Sequence, residues 1–262
     1  MNYKINYFNE DKKPVIAVVG CIHGDETVGR KIILRLRKMK IRKGTLITII
    51  ANEKEMEKNK RFIDQDLNRS FPGKSKGNYE ERLARNILKI TKRADFVIDI
   101  HSTTTDVKNL AIITKKDKDT LDLAYAVEPR RVILMKKDIA KKSFINYCKV
   151  GVSLEYGKDG SNATYDNTFN SIMLLLEKAK MVDDKKRKSK SKCRKIDYYK
   201  MKGMVKKTRK DVLMKNVKNF KLIKKGDVFA TRNGKKLLAK DDFYPVLFGE
   251  SAYDNIFGFK AV

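Results

Sequence analysis

The sequence predicts an α/β protein, with a mixed open sheet carrying helices on both faces and a small β-rich C-terminal domain after it. Three observations lead there. Through the first two thirds of the 262 residues, short apolar β-branched runs alternate with amphipathic stretches of helical period. Residues 183–195 are then a charged run without periodicity. Beyond them the pattern becomes short β-type runs punctuated by Gly203, Gly226, Gly234 and Gly249.

Val15-Ile16-Ala17-Val18-Val19, closed by Gly20, is the first buried strand. Residues 26–40 then place Val28, Ile32, Ile33, Leu36 and Met39 on one helical face and stop before Gly44. Residues 45–51 form a second strand. Asn78 with Glu81 three residues on is a capping pair, and it starts a helix that runs to about Thr91. Phe96-Val97-Ile98-Asp99-Ile100 is a third strand, with shorter ones expected at 110–114, 132–135 and 150–154. A helix after Ser161 reaches about Val182. The expected division is a larger domain at 1–183, a basic linker at 184–195 and a β-rich domain at 196–262.

Composition removes several classes. The chain is 41% hydrophobic, too rich in grouped apolar runs for a wholly disordered chain. No apolar run approaches the ~18 residues that cross a bilayer, and the start lacks a signal-peptide core, so a cytoplasmic protein without a membrane partner is expected. Cys21, Cys148 and Cys193 are odd in number and far apart, which reads as reduced thiols and not as a disulfide framework. The formal net charge is +29, and residues 185–218 carry sixteen basic side chains against two acids. Lysine dominates there and no Gly-aromatic RNA-binding signature accompanies it, so only weak, charge-driven binding of nucleic acid is expected.

The chain has two histidines. His23 follows the first strand in Gly20-Cys-Ile-His-Gly-Asp-Glu26, and His101 ends the third in Asp99-Ile-His. In an open α/β sheet the carboxyl ends of strands are where ligands bind, so the two can converge. Glu26 lies one helical turn from His23 and can add an oxygen. Two histidines and a glutamate make a three-ligand zinc set that leaves a position open for chemistry; the competing reading is two buried histidines, each satisfied by a hydrogen bond. Asp99 shares a strand face with His101 and is placed to orient it. Arg61, Asn68 and Arg69 sit in one polar segment, residues 61–73, suited to an anionic substrate or an oxyanion. Glu155 closes the strand at 150–154 and is a candidate general base for water.

Together, His23-Gly-Asp-Glu26, Asp66-Leu-Asn-Arg69-Ser-Phe-Pro-Gly73, Asp99-Ile-His101 and Leu154-Glu155-Tyr-Gly157, in that order, resemble the aspartoacylase/succinylglutamate desuccinylase family, of zinc carboxypeptidase-like fold. The resemblance implies one Zn2+ per chain held by His23, Glu26 and His101, with Glu155 activating water. It also implies that Arg61 polarises the scissile carbonyl, while Asn68 and Arg69 hold the substrate carboxylate. Residues 225–230 and 244–253 are similar to the end of aspartoacylases, where a small β domain caps the cleft and adds a tyrosine, here Tyr253. Where those enzymes carry a further substrate-binding arginine, ahead of Glu155, this chain has Lys141 and Lys142.

The expected function is therefore a zinc-dependent amidohydrolase acting on a small anionic N-acyl amino acid, N-acetyl-L-aspartate first. Succinylglutamate desuccinylase-like or carboxypeptidase activity is the alternative. The reading from another class is a polyanion-binding protein that has lost catalysis.

Overall fold

The structure, a computed structural model, describes residues 1–7, 12–105, 107–183, 195–249 and 253–262. An interior strand of its sheet is β2 (Val15–Gly20), and β1 (Asn2–Tyr7) precedes it. Ile16 and Val18 enter a cluster with Ile32, Leu36, Ile98 and Ile172. Ala17 and Val19 enter another, with Ile49, Leu83, Ile87 and Phe144. Alternate residues of a strand face opposite ways, so a strand feeding two cores reads as one unbroken apolar run.

After β2 come α1 (Val28–Leu36), β3 (Thr45–Ile50), α2 (Glu53–Glu57), α3 (Tyr79–Thr91), β4 (Phe96–His101), β5 (Leu110–Ile113) and α4 (Lys118–Ala126). Then follow β6 (Arg131–Leu134), α5 (Lys137–Ala140), β7 (Gly151–Glu155) and α6 (Asn162–Lys178). The C-terminal part adds β8 (Asp197–Lys206), β9 (Asp211–Leu213), β10 (Val228–Arg232), β11 (Lys235–Leu238), β12 (Tyr244–Val246) and β13 (Ile256–Ala261). Ten strands form one mixed sheet in the order β1-β3-β2-β4-β7-β5-β6-β8-β13-β12, and β11-β10-β9 form a small antiparallel sheet. Helices α1, α4 and α6 cover one face of the large sheet and α3 the other. This is the α/β class expected, with its small β-rich C-terminal part.

The topology creates a crevice. Strands β3, β2, β4 and β7 run parallel. From β2 the chain first crosses to β3 on one side and later returns to β4 on the other. The order reverses between β2 and β4, and their carboxyl ends flank the gap that such a reversal leaves. At the far side, β8 pairs in parallel with β6 and antiparallel with β13. The C-terminal part is thereby tied to the main sheet, and a third core of Ile112, Ile133, Met201, Val246 and Phe259 spans both.

Several boundaries shift. Helix α1 begins at Val28, because Glu26 belongs to a turn in which its N–H donates to the His23 carbonyl at 3.2 Å. Helix α6 stops at Lys178, just before Lys180 adopts φ 56°. Capping at Asn78 is as expected: its side chain accepts from the Glu81 N–H and Glu81 reaches back to the Asn78 N–H. The basic segment 184–194, with Cys193, lies outside the described residues, while Cys21 and Cys148 are buried and free. Among the described residues no helix is long and apolar enough to cross a membrane.

Candidate metal centre

The carboxyl ends of β2, β4 and β7 lie side by side and deliver the chemistry-bearing residues to one point. After Gly20, Cys21 adopts φ 59° and turns the chain out of the sheet toward His23. Glycine at position 20 lets α1 approach: a Cβ there would stand 2.9 Å from the Gly29 Cα. Glycine at 24 is just as constrained, since a Cβ would collide with the Glu55 backbone and the Lys60 carbonyl. The tight turn places Glu26 beside His23.

Glu26 lies between the two imidazoles. Its Oε1 is 2.7 Å from His23 Nδ1, its Oε2 is 2.8 Å from His101 Nδ1, and the Ser102 N–H donates to the same Oε2 at 3.2 Å. The ring centroids are 5.1 Å apart. His23, Glu26 and His101 each offer a ligand atom within 4.8 Å of the others, and all three residues are buried.

The distal nitrogens are equally constrained. His101 Nε2 is 2.8 Å from Asp99 Oδ2, which also accepts from the Ser153 hydroxyl at 3.0 Å. His23 Nε2 is 3.1 Å from Asp66 Oδ1. A carboxylate on each distal nitrogen accepts the N–H there and fixes the ring so that Nδ1 faces Glu26. Asp99 was singled out in the sequence; the matching role of Asp66 was not. Its signal was local, an aspartate capping the short 3₁₀ turn Leu67–Arg69 by accepting from the Asn68 N–H at 2.7 Å.

Burial pulls the imidazolium forms down, yet the adjoining carboxylates outweigh it and raise both histidines. Burial likewise works against an ionised Glu26, but His23 and His101 overcome it and hold the carboxyl well below its ordinary value. Opposite charges in the buried cluster thus favour the carboxylate and the imidazolium forms together, and a cation bound there would compete with protons for both rings. Two nitrogens, one carboxylate oxygen and outer carboxylates that fix both rings fit a single zinc-like ion.

Arg61 reaches the cluster from the segment after α2, with Nη1 3.3 Å from Glu26 Oε1 and Nη2 3.5 Å from Asp66 Oδ2. Glu80 anchors that segment by accepting from the N–H groups of Ile63 and Asp64 at 2.8 and 3.0 Å. Glu155 ends β7 directly opposite His101. Its Oε2 is buried without a hydrogen-bond partner. Burial, reinforced by Glu26, pushes its carboxyl up to about 7 against the lowering effect of His101, His23 and Arg61. Such a group accepts a proton readily near neutral pH.

A cavity of about 390 Å³ opens over these groups. Glu26, Arg61, Glu155 and Tyr253 line it, together with Ser102, Thr103, Thr104, Asp25, Lys158 and Asp159. The C-terminal part contributes Leu247 and Tyr253, and the Tyr253 ring packs edge-on against Phe259 at 5.7 Å. Burial and the Glu155 charge raise the Tyr253 hydroxyl, which stays a neutral donor.

Asn68 and Arg69 are not among the lining residues. The Asn68 side-chain oxygen accepts from the Phe144 N–H at 2.8 Å, and Arg69 Nη1 donates to the Asn68 carbonyl at 2.9 Å. The Arg69 charge still reaches Asp66 and Tyr253, where it is a minor influence toward the ionised form. Lys141 and Lys142 are exposed and do not line the cavity, and the charge of Lys142 acts on Glu81. The lysine on the wall is Lys158, which the sequence did not single out.

Residues 12–178 match the model of the succinylglutamate desuccinylase/aspartoacylase catalytic domain. A probable aspartoacylase of Nostoc sp. (strain PCC 7120 / SAG 25.82 / UTEX 2576) is 31% identical over 160 residues, covering 54% of this chain and 54% of that protein. An N-acyl-aromatic-L-amino acid amidohydrolase (carboxylate-forming) of Xenopus tropicalis is 29% identical over 168 residues, again 54% of each. The chain spans about half the length of the curated relatives it matches. Among solved structures, murine aminoacylase 3 superposes with a TM-score of 0.78 at 19% identity, covering 97% of this chain and 96% of that one. A succinylglutamate desuccinylase/aspartoacylase of Rhodobacter sphaeroides gives 0.79 at 16% identity, covering 99% and 87%. At these identities the structural likeness shows the fold alone.

Proposed function

Because the chain belongs to the succinylglutamate desuccinylase/aspartoacylase family, we propose that it is a zinc-dependent amidohydrolase that cleaves a small N-acyl amino acid to a carboxylate and a free amino acid. One observation carries this reading: Glu155, whose Oε2 is buried without a hydrogen-bond partner, lines the same cavity as Glu26, the member of the donor set that lies between His23 and His101. A base beside three convergent ligands is what hydrolysis needs and what a purely structural ion does not.

His23, Glu26 and His101 would hold zinc, which supplies Lewis acidity to polarise an amide carbonyl and acidify water. Glu155 takes a proton from the attacking water as its oxygen adds to the carbonyl carbon, and gives it to the nitrogen as the C–N bond breaks. Arg61 stands ready to neutralise the oxyanion that develops. Tyr253 closes the cavity and offers its hydroxyl as a donor. Arg69 and Asn68 contribute to holding the amino-acid carboxylate once Arg69 turns from the Asn68 carbonyl, a rearrangement ordinary for an exposed arginine side chain.

N-acetyl-L-aspartate is the leading substrate, with N-succinyl-L-glutamate as rival. The names of the relatives support an N-acyl amino acid and make an aromatic one the third to test. The test is release of free amino acid from N-acetyl-L-aspartate, N-succinyl-L-glutamate, N-acetyl-L-phenylalanine and a C-terminal dipeptide. Turnover of an N-acyl amino acid that a chelator abolishes and zinc restores is expected. Cleavage confined to the dipeptide would make the chain a carboxypeptidase, and zinc-loaded protein inert on all four would remove the hydrolase reading.

A further inference from the structure

The loop after β7 carries an interaction that joins all three parts of the metal centre. Asp159 Oδ1 accepts from the Val28 N–H at 2.8 Å and from the Ser102 hydroxyl at 3.2 Å, while Oδ2 accepts from the Thr27 hydroxyl at 2.7 Å. Val28 is the first residue of α1, two positions after Glu26. Ser102 follows His101 directly, and Asp159 lies four residues after Glu155.

Each contact answers a need of its neighbour. The first N–H groups of a helix have no partner inside it, and in α1 the residue at the cap position, Thr27, makes no side-chain cap hydrogen bond. Asp159 supplies that cap from a segment more than a hundred residues away, with a negative charge at the positive end of the helix. Its hold on Ser102 fixes the residue whose N–H donates to Glu26 Oε2. A backbone bond from the Thr103 N–H to the Gly157 carbonyl at 2.9 Å joins the same two loops.

We propose that Asp159 is a positioning residue of the metal centre, a three-way clamp that sets the spacing of Glu26, His101 and Glu155. Ligands from two segments, with a base on a third, hold an ion tightly only if their separations are set before it arrives, because otherwise binding must order the loops. The carboxylate touches none of the ligand atoms and acts through the backbone at residues 27–28 and 102. The clamp rests on the zinc reading of the site above, and the measurement separates the two.

Zinc dissociation constants by chelator competition, with thermal unfolding of the zinc-free protein, test the clamp in four forms of the chain. Asp159→Ala removes all three contacts and should weaken zinc by ~10-fold or more, the scale of changes to groups that orient ligands. Asp159→Asn keeps an oxygen for Val28 and Ser102 and turns its NH2 to the Thr27 hydroxyl, so it should bind zinc within ~3-fold of wild type. Asp117→Ala removes the cap of α4, where Asp117 accepts from the Thr120 N–H at 2.9 Å, and should lower the zinc-free Tm by a few degrees with zinc affinity unchanged. Asp159→Ala binding zinc like wild type overturns the clamp. So does Asp159→Asn failing as badly as the alanine variant, since charge and not geometry would then be at work, or Asp117→Ala weakening zinc equally, since any loss of helix capping would then suffice. Wild type that binds no zinc would instead remove the metal reading itself, and the clamp with it.

Discussion

His101 and Glu155 are register partners on the adjacent parallel strands β4 and β7, so the ladder that pairs their backbones also sets the proposed ligand beside the proposed base. Strands a single sheet spacing apart hold their end residues at fixed separation without help from loops. Glu155→Gln is nearly isosteric but cannot take a proton. Turnover should fall by ~100-fold or more while zinc affinity stays within a few-fold of wild type. Steady-state kinetics beside a zinc titration check this, and wild-type turnover in the variant would move the base elsewhere.

In the proposed reaction Arg61, which reaches Glu26 and Asp66, acts on charge that appears as the amide is attacked. Arg61→Ala should lower kcat by ~100-fold with a smaller change in KM, and Arg61→Lys should recover part of the loss. A large rise in KM at unchanged kcat would make Arg61 a ground-state binding residue instead.

Asp66 and Asp99 fix the two imidazoles from behind. Asp66→Ala and Asp99→Ala should each weaken zinc by ~10- to 100-fold while leaving all three ligands in place. Affinity unchanged in both would mean that the rings are oriented by packing alone.

Much of this site was legible because the chain has only two histidines, and both fall at strand ends. The run at 15–19 and the sequence Phe96–His101 gave the strands, and strand ends in such a sheet are ligand-facing. Glu155 was legible on the same ground. Asp66 was not: its approach to His23 Nε2 spans 43 residues, and no periodicity records a contact between two loops. Lys158 was not legible as a cavity residue either, because it lies in the loop after β7 and no periodicity records that this loop lines the cavity. Strand β1 was missed for a related reason. Its partner is β3, in antiparallel register from Asn2 with Ile50 to Tyr7 with Thr45, and an edge strand is specified by that distant partner more than by its own residues. Helix α4 was missed because its apolar residues are spread around the helix, unlike those of α1, which has the same nine-residue length but one clear apolar face.

Gly24 tests how closely the ligand loop is packed. Gly24→Ala drives a methyl group into the Glu55 backbone and the Lys60 carbonyl, and should destabilise the fold by about 1–3 kcal/mol in denaturant unfolding. Zinc affinity should fall too, since relief of the clash must move the turn between His23 and Glu26. Unchanged stability would show that the turn has room the structure denies it.

Beneath that turn, Glu55 and Glu80 are both fully buried, with both Glu55 oxygens and Glu80 Oε2 lacking hydrogen-bond partners. Burial, then the neighbouring Glu80, raises Glu55 from its ordinary 4.5 to about 8. Within that window the folded chain holds a proton that the unfolded chain has lost, so stability falls as pH rises through it. Glu55→Gln keeps the shape and supplies an amide donor toward Glu80. It should flatten that decline and raise Tm at pH 9 relative to wild type, as thermal unfolding from pH 5 to 9 would record. A decline as steep as in wild type would place its origin in other groups.

The zinc content of the purified chain, measured after removal of loosely bound metal, tests the central claim most directly. With His23, Glu26 and His101 as the ligands, the wild-type protein should retain about one zinc per chain, and the double variant His23→Ala/His101→Ala should retain essentially none. Equal zinc in both, or none in the wild type after reconstitution, would contradict the assignment of this cluster as the metal centre.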